Sequence, residues 1–561
     1  MLHQILYLYI SKEEFIFVPE DKSKKLLVIN RLNGKLSLHR WFLEIYHVKI
    51  DQSLLRIYGI IGIIQLKYDK YIIVITEREI IGKIGQDDIF QMKSFRLMPL
   101  KSKQIIDYDE TEYIKLIKKH LNTGPFYFSY TLDITNTVQR QATLNTDIET
   151  PIWKTADDRF FWNKFIQSDL INLRETFHSD VDSYILPVIY GFIKITHIII
   201  KDHFLFIVLI SRRSKYRAGT RYFSRGINEK GDVSNFNETE QIVLSENINK
   251  LSGVTERLKL SYVQIRGSIP IFWAEINNLK YKPELHVSNI NNSIYPSKLH
   301  FDKQIKIYGE QIVVNLINQH GREYNIKSAF EEIIRILNEP KIQYLYFDFH
   351  QECREMRWYR VQILIDQLLP LLHKQNYCFV NCSDLSSPVH LQTSIVRTNC
   401  IDCLDRTNVI QSALARWMLT KQLRDIFVFN KNENIENYPE LDNLFRNMWA
   451  DNADFISISY SGTGALKTDF TRTGKRTRKG EFHDLINSIL RYFQNNFTDG
   501  SRQDAYDLFL GNYIPQQNKK SPFLSYKPLF IQFVPYLFFF SIFMILAKIF
   551  LPSSNGNKTL I

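Results

Sequence analysis

The stretch V-R-T-N-C-I-D-C-L-D-R-T-N-V, Val396–Val409, sets Cys400 six residues ahead of Arg406 and follows that arginine with Thr407 and Asn408. Its chemistry is that of a phosphate pocket. A thiolate at Cys400 can attack phosphorus while the backbone N–H groups of 401–406 curl round the non-bridging oxygens and the Arg406 guanidinium clamps two of them in a planar fork. Phosphoryl transfer needs positioning and neutralisation of charge spread over equatorial oxygens, which inward amides and one fixed guanidinium supply. Lysine at 406 would offer only a point charge. After Arg406 the spacing of Ile410, Ala413, Leu414 and Trp417 predicts a helix. The loop then sits at a helix N-terminus, where partial positive charge favours phosphate and should lower the pKa of Cys400.

Three other readings compete. Cys378-x3-Cys382 with Cys400-x2-Cys403 makes a four-thiolate zinc set, but Asp402 and Asp405 would crowd negative charge onto it and no glycine-bearing knuckle follows either pair. A redox pair of Cys400 and Cys403 would want an apolar groove where Arg-Thr-Asn stands. An inert buried cysteine leaves the polar D-x-x-D-R-T-N run unexplained. No metal is expected, and with no G-x-x-x-x-G-K-[ST] loop ATP use is not indicated.

At 561 residues the chain exceeds one typical core, and two folded domains plus a tail are expected. With 45% hydrophobic and 14% aromatic residues it can bury a large core, so disorder is not the main story. Its 5 cysteines all fall between Cys353 and Cys403, which argues against a disulfide framework and for a reducing compartment. The net charge of +12 calls for an acidic partner, whether nucleic acid, anionic membrane or phosphorylated substrate. No zinc-finger, RNP or leucine-zipper pattern accompanies it, so nucleic acid is not expected.

Ile5–Ile10 is a short apolar run without a positive flank, closed by Lys12, Glu13 and Glu14, and reads as a first strand rather than a secretory signal. Leu26–Ile29 and Leu36–Leu38 flank the hairpin turn Asn33-Gly34, and Ile60–Leu66 and Tyr71–Thr76 add strands. Residues 108–122 have helical spacing and stop before Gly124-Pro125. The polar stretch 144–160 reads as a connection, with a domain boundary near 183. Beyond it Phe204–Ile210 and Tyr344–Phe349 suit buried strands, and Arg357–Lys374 and Glu481–Asn496 suit helices. The expected fold class is α+β (mixed α/β): residues 1–183, a catalytic domain 184–510 holding every chemically notable residue, and a polar linker 511–528. That linker would span about 23 Å on average and about 60 Å stretched, letting the pocket reach lipids of its own bilayer.

A transmembrane helix is expected at 529–551, apolar except for Gln532, Ser541 and Lys548 and long enough for a bilayer. Lys548 can snorkel, and Lys519, Lys520 and Lys527 on the preceding side would keep the body cytosolic. The alternative, a buried core helix, rarely runs so long without a polar face.

Two arginine-bearing stretches lie upstream, Ser211–Gly226 and Gln264–Trp273. Arg212, Arg213, Lys215, Arg217, Arg221 and Arg225 cannot all face one way on a strand, so a charged rim and a solvated face both stay open. Arg266 beside Gly267 and Pro270 reads as a tight turn, with a charge-lined rim as the alternative. Downstream, Ser461–Gly480 sets Lys467, Arg472, Lys475, Arg476, Arg478 and Lys479 against Asp469 alone, which suits a phosphorylated headgroup or anionic lipid; a merely solvated loop is the other reading. A general acid must protonate the leaving oxygen. Asp402 is the first choice, and Asp405 would pair with Arg406 or hold the loop's shape, with the two roles open to exchange. Candidate substrate contacts are Cys403, Asp405, Thr407 and Asn408 in the loop and Lys467, Lys475 and Arg476 downstream. His350 and Glu352 read as packing or hydrogen-bonding residues before catalysts.

At these residues the sequence resembles the Sac-domain phosphoinositide phosphatases, and among them the endoplasmic-reticulum-resident type. R-T-N-C-I-D-C-L-D-R-T-N-V fits the family signature R-x-N-C-x-D-C-L-D-R-T-N. S-R-R-S-K-Y-R-A-G, F-N-E-T-E-Q, R-G-S-I-P-I-F-W, F-D-F-H-Q-E-C, A-D-N-A-D and G-T-G-A-L-K-T-D-F-T-R-T-G-K-R-T look like further family blocks, over roughly residues 10–515. The resemblance implies that Cys400 forms a phosphocysteine, Arg406 binds the phosphoryl group and Asp402 is a candidate acid, with no cofactor. It implies a Sac N-terminal domain in 1–183, phosphatidylinositol 4- and 3-monophosphates as substrates, and residence in the endoplasmic reticulum membrane with movement to the Golgi. Resident members carry two membrane spans, whereas ten residues follow Leu551 here, too few for a second, and N-G-N-K-T-L-I shows no di-lysine pattern; a single crossing and a segment lying in the membrane without crossing both stay open. A protein-tyrosine-type phosphatase and a non-catalytic phosphoinositide-binding scaffold are the rival functions.

Overall fold

The computed structural model describes the chain apart from residues 1, 22, 41–53, 102–106, 145–149, 249–254, 277, 281, 383–387, 523–528 and 551–561. Alternating apolar residues in the first 60 positions fold into a five-stranded antiparallel sheet in the order Leu36–His39, Leu26–Asn30, Glu14–Pro19, Leu6–Ile10, Leu54–Ile57. The Asn33-Gly34 hairpin forms: Asn30 Oδ1 accepts the Leu32 and Asn33 N–H groups at 3.0 and 3.1 Å, and Gly34 takes φ +71°.

Among the described residues, all but two of the remaining strands build one 12-stranded sheet, and those two, Trp273–Glu275 and Leu285–Val287, pair with each other. At one end lie Ile60–Gln65, Lys70–Ile84, Asp87–Pro99 and Phe126–Phe128; Ile189–Ile200, His203–Arg213, Asn237–Ile248 and Thr255–Gly267 continue it. The sheet finishes with Ser394–Asn399, Glu310–Asn315 and Ile342–Tyr346, all parallel, and Cys378–Asn381 pairs beside Thr255–Gly267. Phe126–Phe128 pairs with Ile189 and Tyr190, so strands from both sides of residue 183 share this sheet. One apolar core likewise runs from Ile61 and Trp162 to Met418 and Trp449.

The parallel strands place the loop. In register, Gly267 and Asn315 both lie beside Asn399, and Asn315 beside Tyr346, so four strands end together at one edge of the sheet. Ligands of open α/β sheets lie at such carboxyl edges. Cys400 follows Asn399 directly, and the helix Asp405–Asp425 returns beneath, with Ile410, Leu414, Met418 and Leu419 fully buried. Elsewhere the elements differ from the sequence reading at their ends. The strand begun at Tyr71 continues to Ile84; that begun near Tyr344 stops at Tyr346, because Asp348 caps the Phe349–Glu352 turn through the Gln351 N–H at 3.0 Å. The helix expected from Arg357 starts at Val361, after Glu355 and Met356 take left-handed φ of +58° and +63°.

Leu529–Phe550 is a helix of 22 residues, about 33 Å at 1.5 Å per residue. Among the described residues, however, no helix is long and apolar enough to cross a membrane. Several side chains of this helix lie outside them, as does much of the expected linker, so the expected crossing is not shown.

A buried ionic cluster joins the two halves. Glu238 is fully buried and receives both terminal nitrogens of Arg140 at 2.7 and 2.9 Å, Arg212 Nη1 at 3.1 Å and the Tyr308 hydroxyl. Burial alone would raise its carboxyl, but Arg140, Arg212 and Arg159 hold it down at about 2. Glu238→Gln removes the carboxylate that Arg140 and Arg212 share, leaving buried positive charge less compensated, and is expected to cost roughly 3–5 kcal/mol in urea unfolding at pH 7. Because the folded pKa lies below the unfolded value, this contribution is complete above about pH 4.5 and fades as pH falls to about 2. The gap between wild type and variant should close over that window.

Candidate active site

Ser394–Asn399 is buried at every position, so the strand delivers Cys400 to the sheet edge with little freedom. Cys403 then takes φ +51°, turning the chain back so that its sulfur receives the Cys400 N–H at 3.3 Å. The same sulfur lies 2.9 Å from the Gly267 carbonyl and 3.0 Å from that of Cys400, either of which can take its proton. Burial pushes the Cys403 thiol up to about 12. Cys403 therefore braces the loop as a neutral thiol.

Arg406 is fixed by backbone and carboxylate together. Its Nη1 donates to the Leu316 carbonyl and Asn318 Oδ1, each at 3.0 Å, and both terminal nitrogens meet Glu323 at 3.1 and 2.9 Å. Such a bidentate fork sets the plane of the guanidinium as well as its place. Cys400 is 3% exposed. Burial pushes its thiol up, Arg406 pulls it down, and Glu323 and Asp402 add to the rise. The net direction is upward, opposite to the lowering expected from the helix terminus alone, because desolvation outweighs the pull of Arg406.

The two loop carboxyls sit in opposed environments. Arg221 Nη2 lies 2.8 Å from Asp402 Oδ2, and Arg225 Nη1 lies 2.5 Å from Oδ1. Burial would raise Asp402, but these two arginines hold it far below the ordinary carboxylate range. Arg225 is shared with Glu275, which Arg322 also meets at 3.1 Å. Asp405 accepts the Leu466 N–H at 2.9 Å, and burial raises its carboxyl against the pull of Arg491 and Lys467.

The other expected contacts divide. Thr407 and Asn408 are buried beneath the loop; Asn408 donates to the Trp449 carbonyl at 3.2 Å and accepts from Arg266 at 3.4 Å. Arg266 is fully buried rather than at a turn or rim, and donates to Gln411 Oε1 at 2.8 Å. Lys467 is exposed at φ +62°, with its N–H on both oxygens of Asp484 at 3.0 and 3.1 Å. Arg476 lies between Asp469 and Asp484, 2.5 Å from each, so it shapes the basic loop, while Lys475 stands exposed. Glu352 pairs with Arg360 at 2.6 Å. Among the described residues no group of three or more His, Cys, Asp or Glu is placed to hold a metal ion. Glu323 carried no signal in the sequence; it lies in an ordinary G-R-E-Y run. The arginine-rich stretch was visible, but not that Arg221 and Arg225 converge on Asp402.

The model of the SacI homology domain matches residues 58–354. The chain is 44% identical over 567 residues to phosphatidylinositol-3-phosphatase SAC1 of Saccharomyces cerevisiae, covering 100% of this chain and 89% of that one. It is 39% identical over 513 residues to SAC1-A of Danio rerio, 90% and 84% of the two chains. With phosphoinositide phosphatase SAC6 of Arabidopsis thaliana it shares 35% over 521 residues, 91% and 85%. The chain belongs to the SacI homology domain family.

Glu323→Gln keeps the shape at that position and removes the charge that fixes the fork. Any phosphatase turnover should fall about 10- to 100-fold, with thermal unfolding lowered only slightly, as read by phosphate release and by calorimetry. Unchanged turnover would mean that Arg406 is held by Leu316 and Asn318 alone.

Proposed function

We propose that the chain is a phosphoinositide phosphatase that hydrolyses phosphatidylinositol 4-phosphate, and the 3-phosphate, through a phosphocysteine at Cys400. The observation that carries this is the Arg406 guanidinium, oriented by Glu323 and close enough to Cys400 to pull on its thiol. Family membership and the names of the similar proteins, a phosphatidylinositol-3-phosphatase and a phosphoinositide phosphatase among them, support the lipid substrate.

The Cys400 thiolate bonds to phosphorus as the bond from phosphorus to the inositol oxygen breaks, and that oxygen takes a proton. Asp405 is the better donor. Its carboxyl is raised by burial, whereas Asp402 is kept ionised by Arg221 and Arg225. Water then attacks the phosphocysteine, gives its proton to the Asp405 carboxylate, and releases inorganic phosphate and the thiolate. Asp402 keeps the two arginines folded over the loop. Lys467 and Lys475 offer charge to the headgroup at the rim.

The substrate places the enzyme at a membrane. The Leu529–Phe550 helix leaves Phe533, Tyr536, Leu537, Phe540 and Phe543 exposed, a surface that favours lipid over water. The resemblance to the resident type supports the endoplasmic reticulum as the compartment, with the catalytic body in the cytosol and movement to the Golgi.

Cys400→Ser should abolish phosphate release from phosphatidylinositol 4-phosphate with the fold intact, and retained turnover would remove this nucleophile. Faster turnover of a phosphotyrosyl peptide would favour the tyrosine-type reading, and binding of vesicles without turnover the scaffold reading. Asp405→Asn should slow the inositide about 100-fold or more yet largely spare para-nitrophenyl phosphate, whose leaving group needs no proton. If Asp402→Asn shows that selective loss instead, the acid is Asp402.

A further inference from the structure

The helix Arg478–Phe497 is built inside out. Its polar residues Asn487, Arg491 and Asn495 turn into the body, at 7%, 8% and 1% exposure. Arg491 donates there to Thr463 Oγ1 and Ser457 Oγ at 3.0 Å each and to the Gly464 carbonyl at 2.9 Å. Its apolar residues face out: Phe482 is 62% exposed, Leu485 56%, Ile486 38% and Leu490 37%. These positions recur at helical spacing and so form one stripe. An amphipathic helix at a protein surface normally presents the reverse arrangement.

Part of the stripe is covered. Tyr492 and Phe493 meet Phe538 and Phe539 of the Leu529–Phe550 helix, with ring centroids 5.8 and 4.8 Å apart. The open part continues from that contact toward the helix N-terminus, where Lys475, Arg478 and Lys479 are exposed and Glu481 is the acidic residue of the first turn. This end also adjoins the candidate active site. Asp484 on the helix accepts the Lys467 N–H, and the preceding Leu466 donates to Asp405.

We propose that this helix is a docking face for an anionic bilayer, with Phe482, Leu485 and Ile486 entering the acyl boundary and Lys475, Arg478 and Lys479 at the headgroups. The occupant follows from two features together. The stripe runs on into a helix that is itself apolar and exposed, and its open end is rimmed by cations, which complement anionic lipid. Docked in this way, the face sets the loop of Cys400 beside the membrane surface. The inference rests on the phosphoinositide phosphatase reading only for its kinetic test.

The full chain carrying Leu485→Cys, labelled with an environment-sensitive fluorophore, is reconstituted in vesicles of phosphatidylcholine with about 30% phosphatidylserine. The label should shift to the blue and be quenched by acyl-brominated lipid, and both effects should weaken when phosphatidylserine is omitted. The double variant Phe482→Ser with Leu485→Ser should raise KM for vesicle-borne phosphatidylinositol 4-phosphate about tenfold and leave turnover of the water-soluble dibutanoyl analogue unchanged. A label unquenched by brominated lipid overturns the proposal. So does a label already shielded in detergent, which would assign the stripe to another segment of this chain, or a dimer in detergent that the double variant splits. An equal loss on both substrates overturns it too. If wild type turns over neither substrate while the label is quenched, the docking face stands and the phosphatase reading fails.

Discussion

The bidentate contact between Arg406 and Glu323 is the constraint around which the pocket is arranged. A guanidinium left to itself at a helix start would sample many directions; one forked onto a buried carboxylate and a backbone carbonyl has one. Its partner comes from the segment after the Glu310–Asn315 strand, so the clamp spans two parallel strands of the sheet and depends on their register. Shifting Ser394–Asn399 by one residue would turn its side chains to the other face and carry Arg406 away from Glu323. The shape of the pocket is in this sense a property of the sheet.

Charge is handled differently at each depth. At the outer part of the loop Asp402 is bracketed by Arg221 and Arg225, and the chain of pairs runs on through Glu275 to Arg322. Beneath, Arg266 and Arg397 are fully buried, and burial lowers both to about 10. Their hydrogen bonds go to carbonyls and amides, such as Ser268 O for Arg397 and Gln411 Oε1 for Arg266. Two cations held without a direct carboxylate partner add positive potential below the loop.

Much of this was legible in the sequence where the signal is local. The helix after the Cys-x5-Arg run and the Asn33-Gly34 hairpin each rest on residues within one or two turns of each other, and each formed. What was not legible depends on distance or burial. Glu323 lies 83 residues from Arg406, and Arg225 lies 177 from Asp402, so no periodicity links them. The direction of the Cys400 shift follows from desolvation, which a motif does not carry. The helix near Glu481–Asn496 was visible by its spacing, but periodicity does not say which face is turned inward. The usual assumption of apolar-in fails there because Arg491 finds hydrogen-bond partners inside.

The contrast between Asp402 and Asp405 shows how neighbours assign roles to identical groups. Both carboxyls lie in one loop at the same helix start, so the helix dipole acts on each with the same sign. Only Asp402 meets guanidiniums directly; Asp405 meets a single backbone N–H, with Arg491 and Lys467 acting from further off. The first is therefore fixed as an anion and the second is biased toward its neutral form. Proton transfer to a leaving alkoxide needs a group that holds its proton until the bond breaks, and a carboxyl already neutralised by two arginines has none to give. The anion at Asp402 in turn holds Arg221 and Arg225 against the loop.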